Sequence, residues 1–184
     1  MSKLELASSE ALYPVPVVLV SCQAQDTANI ITIAWCGVVC SKPHLLSISI
    51  RPSRYSHKII SQAGDFVINI PSQDLLKETD LCGNVSGRDK DKFELCKFTK
   101  TSPSVVHSPI IKECPVNIEC KLVKTLNMGA HDMFIGMVVK VRADESVLDK
   151  EGNMDYSKAR PIVYNQGEYW SVGKKIGRHG FSVK

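Results

Sequence analysis

The chain has 184 residues, 43% apolar and 23% charged, which excludes a disordered, collagen-like or coiled-coil protein. Lys and Arg total 23 against 19 Asp and Glu, and the resulting +4 falls short of the excess a dedicated nucleic-acid binder carries. It is enough for a small anionic ligand, and at this length roughly 70% of the unfolded surface can be buried without a staple.

Residues 1–184 are expected to form one domain, with its core at about 12–173 and a basic tail at 174–184. Val15 to Ser21, entered through Pro14 and interrupted at Pro16, reads as a strand that enters at an edge. Ile30 to Val39 is β-branched and apolar and reads as a second strand. Leu46, Ile48 and Ile50 alternate with Ser47 and Ser49, the period of a half-buried strand. Ser53 to Gly64 has a Ser start, apolar Ile59 and Ile60, and a Gly stop, which predicts a short helix. Phe66, Ile68 and Ile70 alternate up to Pro71 and predict another strand. Ser72 opens a second helix, with Leu75, Leu76 and Leu81 inward and Gly83 after its end.

Residues 84–115 are irregular and punctuated by Pro103, Pro109 and Pro115, and a loop this long is usually functional. Val116 to Leu122 and Met133 to Val141 then alternate on either side of a turn near Asn127 to Gly129. Each strand of that hairpin is expected to have one buried and one wet face. Ile162 to Tyr164 and Glu168 to Val172 predict a last hairpin around Asn165-Gln166-Gly167. Six or more short antiparallel strands with few helices predict a mostly β protein, closed or partly open as a barrel. A doubly wound fold is not expected, for there is neither strand–helix alternation nor a G-x-G-x-x-G turn.

Seven cysteines, with no C-x-x-C pair, carry no zinc or iron–sulfur signature. They suggest a reducing cytoplasm. The first ten residues lack the apolar run of a signal peptide, and no apolar stretch approaches a membrane span. A thiol relay is not expected. Cys36 and Cys40 on one strand would lie about 13 Å apart at the usual rise, beyond the Cα span of a disulfide. Cys120 reads as core filling, and Cys82 as the thiol most exposed to solvent.

No H-E-x-x-H, G-x-S-x-G or G-x-x-x-x-G-K-[ST] motif is present, and the five His are scattered. Arg51, Ser53, Arg54, Ser56, His57 and Lys58 instead fall within eight positions where a strand ends and a helix begins. A helix start offers free N–H groups and positive dipole, and Arg and Ser add donors suited to phosphate oxygens. The alternative for the same residues is a solvated basic helix face.

Several segments, in order, resemble the flavin reductase-like family, which includes flavoredoxin. They are Pro14-x-Pro16-Val17-Val18-Leu19-Val20, Ala28-Asn29-x-x-Thr32-x-Ala34-Trp35, and Ser47-x-Ser49-Ile50 with Arg54-Tyr55-Ser56. Ser86-Gly87-Arg88-Asp89-x-Asp91-Lys92-Phe93, Phe134-Ile135-Gly136-x-Val138 and Tyr169-x-x-Val172-Gly173 continue the pattern to the end of the core. The resemblance implies a split β-barrel that binds FMN, usually as a homodimer with the flavin near the interface. It places Asn29, Ile30, Thr32, Ala34 and Trp35 along the isoalloxazine and ribityl chain. Ser49, Arg54, Ser56 and Lys58 fall near the phosphate, and Ser86 and Lys92 are contributed by the long loop. Gly129-Ala130-His131-Asp132 is similar to a Gly-Asp-His stretch near the nicotinamide approach, with Ala130 departing from it, which makes His131 the catalytic candidate.

A flavin brings its own redox chemistry, and the protein supplies binding, orientation and electrostatics. Backbone N–H groups or a cation aimed at the N1 and O2 edge would stabilise the charge that reduction puts there. The implied function is an FMN-dependent oxidoreductase of flavoredoxin type, passing electrons to a redox partner. The alternatives are an NAD(P)H-dependent flavin reductase and a small barrel with a non-redox ligand. Neither nucleic acid nor membrane is expected as a partner.

Overall fold

The computed structural model describes residues 2–183, so both outer bounds of the single-domain expectation lie outside the described residues. The first predicted strand is two: β1 (Val15–Pro16) and β2 (Val18–Ala24). Pro16 has no N–H to give a ladder, and Val17 N instead bonds Ile162 O at 3.1 Å. The second is also two, β3 (Thr27–Ile33) and β4 (Cys36–Ser41). They separate at Ala34-Trp35, where Cys36 N turns back to Ala34 O and Trp35 O accepts from Ser49 N. β5 (His44–Ile50) follows, then α1 (Tyr55–Ala63). Gly64, at φ +71°, closes α1 in the left-handed conformation with its N–H on Ile60 O.

β6 (Asp65–Ile70) leads through a 3-10 turn at Gln73–Leu75 into α2 (Leu76–Asn84). Gly83 lies inside α2, not beyond it, and Leu76 is exposed while Thr79 and Cys82 face inward. The long irregular segment contains α3 (Lys92–Leu95), capped by the Asp91 carboxylate, and a small ribbon of β7 (Lys100–Thr101) and β8 (Ile110–Ile111). β9 (Val116–Asn127) and β10 (Asp132–Ala143) form the predicted hairpin. After α4 (Tyr156–Ala159), β11 (Ile162–Asn165) and β12 (Glu168–Ser171) form the last one, with β1 added beside β11.

One seven-stranded antiparallel sheet runs in the order β3-β2-β6-β9-β10-β5-β4. Its inner face, with Val20, Ile31, Ile48, Ile50, Phe66 and Phe134, closes on Ile59 and Ile60 of α1. A second core behind β3 is made by Leu19 and Ile30 against Cys82, Phe93, Cys96, Phe98, Ile111 and Cys114. It docks α2 and α3 on the sheet. The protein is thus mostly β and antiparallel, with few short helices, and its fold is the split barrel.

The first half of the face expected to be wet on β9 is dry, and so is the polar face of β6 beside it. Asp65, Asn69, Asn117 and Glu119 are all buried beneath the segment 102–114. The Glu119 carboxylate accepts from the backbone N–H of Ser104, Val105 and Val106 at 2.9, 2.7 and 3.3 Å. Asp65 accepts from His107 N and Ser108 N at 2.9 and 3.1 Å, and Asn69 Oδ1 from Ile111 N at 3.1 Å. Polar alternation here marks groups that hold a covering loop, satisfying backbone donors that would otherwise be buried unpaired.

Candidate functional site

Residues 31–35 line a cavity of about 650 Å³ one after another. Side chains on a strand alternate between faces, so consecutive residues share a wall only when a cavity runs along the strand's edge. The end of β3 and the Ala34-Trp35 break therefore offer backbone as well as side chains. Ser49, Arg51 and Arg54 also line it, with Gly83 and Asn84 from α2 and Tyr164 and Tyr169 from the last hairpin.

Trp35, about half exposed, stacks on His131 with centroids 6.4 Å apart and planes 15° apart, and meets Tyr164 at 6.2 Å. Tyr169 donates to Asp80 at 3.0 Å, and burial together with that carboxylate pushes its pKa up to about 12. These rings form an aromatic mouth. A more apolar chamber of about 330 Å³ adjoins it, sharing Ala34, Trp35 and Ser49.

At the other end lies a niche of about 80 Å³ lined by Asn29, Ser53, Arg54, Ser56, Ser86, Gly87 and Lys92 among others. α1 begins there with Arg54 at its N-cap, no acidic residue in its first turn and no side-chain cap among the described residues. Asn29 Nδ2 donates to Ser56 Oγ at 2.8 Å. Gly87 passes so close that a Cβ would stand 2.1 Å from Asn29 Oδ1. Lys92 is buried, its ammonium donating to Ile30 O at 2.8 Å and Cys82 O at 2.7 Å. Burial lowers its pKa, so an anion brought beside it would relieve a desolvated charge.

The structure thus brings Thr32, Ala34, Trp35, Ser49, Arg54 and His131 around the large cavity, and Asn29, Arg54, Ser56, Ser86 and Lys92 around the niche. Ile30 lines neither, because alternation on β3 turns it into the second core, and only its carbonyl reaches Lys92. Lys58 lines neither and is exposed, because four residues along a helix from Arg54 carry it past the niche. His57, part of the basic cluster, instead meets Asp132 at 2.7 Å and sets its ring edge-on to Phe134. Sequence reasoning left out Gly83, Asn84, Tyr55, Tyr164 and Tyr169. The tyrosines carried a signal, since Tyr164 and Tyr169 are paired across the final hairpin.

The profile of the "Flavin reductase like domain" family matches residues 10–173. The chain belongs to that family. It is 33% identical to a protein of Archaeoglobus fulgidus over 147 residues, 80% of this chain and 82% of the other. Among solved structures it is similar to flavoredoxin of Desulfovibrio vulgaris (Miyazaki F), with TM-score 0.93, 32% identity and 99% of each chain covered. Flavoredoxin from Methanosarcina acetivorans gives TM-score 0.92 at 30% identity, covering all of both chains.

The site of this family member fits the flavin its family implies. The niche is sized for one phosphate and has two cations, three serine hydroxyls and an open helix start. The adjoining cavity has an exposed strand edge on one wall and aromatic rings at its mouth. Among the described residues no helix is long and apolar enough to cross a membrane, and no cluster of His, Cys, Asp and Glu suits a metal.

Proposed function

We propose that this protein is an FMN-binding oxidoreductase of flavoredoxin type, a cytoplasmic electron carrier working with a redox partner. The observation that carries this reading is the single phosphate-sized niche at one end of an edge-lined cavity. Arg54 and Lys92 supply charge there, Ser56 and Ser86 supply hydroxyls, and Gly87 gives the room. The flavin, when bound, exchanges electrons through its ring. The β3 edge, Ala34 and Trp35 would hold the ring, and backbone N–H groups left unpaired along that edge would stabilise the negative charge that reduction brings. Thr32, with its hydroxyl on Thr79 O, holds α2 beside the ribityl path.

A second reading, an NAD(P)H-dependent flavin reductase, is favoured by His131 at the open mouth, stacked on Trp35 and free to meet an incoming donor. Anaerobic stopped-flow mixing with NADH and NADPH separates the two. Rapid bleaching by either nucleotide supports the reductase, and none supports the carrier. A non-redox ligand is excluded if the purified protein is yellow with a flavin spectrum.

The phosphate assignment is tested by calorimetry of the apoprotein with FMN, FAD and riboflavin. FMN binds more tightly than FAD, because one niche serves one terminal phosphate. Arg54→Ala weakens FMN about ten-fold or more, as losing a charged hydrogen bond costs roughly 1.5–3 kcal/mol. It weakens riboflavin less, because riboflavin has no phosphate to lose. Equal losses for both ligands overturn the assignment.

A further inference from the structure

Cys82 and Cys96 stand at the two ends of the segment that carries Ser86, Gly87 and Lys92. Their sulfurs are 3.6 Å apart and both side chains are buried. The Cys96 thiol also faces Glu78 O at 3.9 Å, one helical turn before Cys82, so it lies along one side of α2. The backbone is already drawn together here, since Lys92 Nζ donates to Cys82 O at 2.7 Å. Sequence alone placed Cys82 at the surface and saw no thiol pair in reach.

We propose that Cys82 and Cys96 form a reversible disulfide that staples the base of the phosphate-niche loop when the protein meets a peroxide. The Cys96 thiolate attacks the O–O bond of a hydroperoxide, giving a sulfenic acid and releasing hydroxide or alkoxide. The Cys82 sulfur then displaces hydroxide from the Cys96 sulfur, so an S–S bond forms as the S–O bond breaks. The Cys82 proton leaves with that hydroxide as water. Two electrons pass from the two thiols to the peroxide in total. Cys96, at the rim of the second core, is the entry point, whereas Cys82 is fully enclosed. Burial raises both thiol pKa values, which lowers the thiolate fraction and makes the attack slow at any peroxide concentration. Peroxide arises wherever a reduced flavin meets dioxygen. That local source rests on the flavin reading, but the chemistry of the pair does not. The closed segment runs over positions 82–96 and adds a covalent tie where a hydrogen bond already holds.

The test uses the full chain, with and without FMN, treated with hydrogen peroxide, quenched with iodoacetamide and digested with trypsin. The expected result is the peptide 78–88 linked to the peptide 93–97, lighter by two hydrogens than their sum. Native trypsin cleavage after Arg88 slows by about ten-fold on oxidation, as a closed loop opens less often. Dithiothreitol restores it, and Cys96→Ser removes both effects. A linkage of Cys82 to Cys114, over-oxidised but unlinked thiols, or linkage with unchanged cleavage each overturn the proposal. The linkage map is made on the unmutated chain and does not depend on the variant's folding. A chain that binds no flavin but still links Cys82 to Cys96 upholds the staple and sinks the cofactor reading alone.

Discussion

Gly87 and Asn29 come from distant parts of the chain and nearly touch. A methyl group at Gly87 would need the space of Asn29 Oδ1, at 2.1 Å, and of Asn29 Cγ, at 2.5 Å. Asn29 would swing aside and release Ser56 Oγ, opening the floor of the niche. Gly87→Ala is therefore expected to weaken FMN about ten-fold, the loss of one or two hydrogen bonds. It leaves the melting temperature of the apoprotein within a few degrees, since Gly87 lies outside both large cores. Titration followed by flavin fluorescence, beside a thermal melt, checks both halves. The Ser-Gly-Arg-Asp context pointed to this loop, but the contact with Asn29 exists only once α2 and α3 dock on β3. Lys92 was similar: in a charged run it reads as solvated, and its burial depends on carbonyls at Ile30 and Cys82. Lys58 shows the reverse, a residue of the right chemistry whose place on the helix directs it outward.

Two faces of the β6–β9 ladder alternate cleanly in the sequence, and that pattern correctly predicts strands. It does not reveal that the polar face is also dry. Asp65, Asn69, Asn117 and Glu119 look like solvated positions because their partners are backbone N–H groups of a loop with no pattern of its own. The break at Ala34-Trp35 was equally hidden, because apolar residues continue through it. Glu119 gives the loop anchorage a measurable sign. Burial on its own would raise its pKa, but the N–H groups of Ser104, Val105 and Val106, with Arg142 beside them, outweigh it and hold the pKa below 4.5. A carboxylate with a depressed folded pKa stabilises the protein fully above its unfolded value, and that contribution is lost as pH falls through the folded one. Glu119→Gln is expected to cost about 1–3 kcal/mol at pH 7. The difference from wild type shrinks once pH drops below the folded pKa. Urea unfolding at neutral and strongly acidic pH measures both, and a penalty independent of pH would show that the charge plays no part.

At the scale of the molecule, β4 is one of the two outer strands of the sheet and carries Val38, 80% exposed, beside half-exposed Val39. Trp35 and Met137 are also partly exposed. An unprotected apolar edge invites pairing with another chain, and a two-fold contact between copies is the commonest way to cover it. Light scattering at micromolar concentration is expected to give about twice the chain mass of 20.3 kDa, and a value near 20.3 kDa counts against the dimer. Replacing Val38 with Lys should shift the population toward monomer.

β3 and β4 are neighbours in the chain, yet they are the first and last strands of the sheet. The ring of strands is joined at that seam by the covalent link through Ala34-Trp35, not by a ladder of hydrogen bonds between the two. The cavity lies along that seam, where residues 31–35 show an edge. An occupant of the cavity therefore stands where a further strand would otherwise dock. Without an occupant a short stretch of main chain would stand uncovered, so the emptied protein is expected to associate more readily than the filled one.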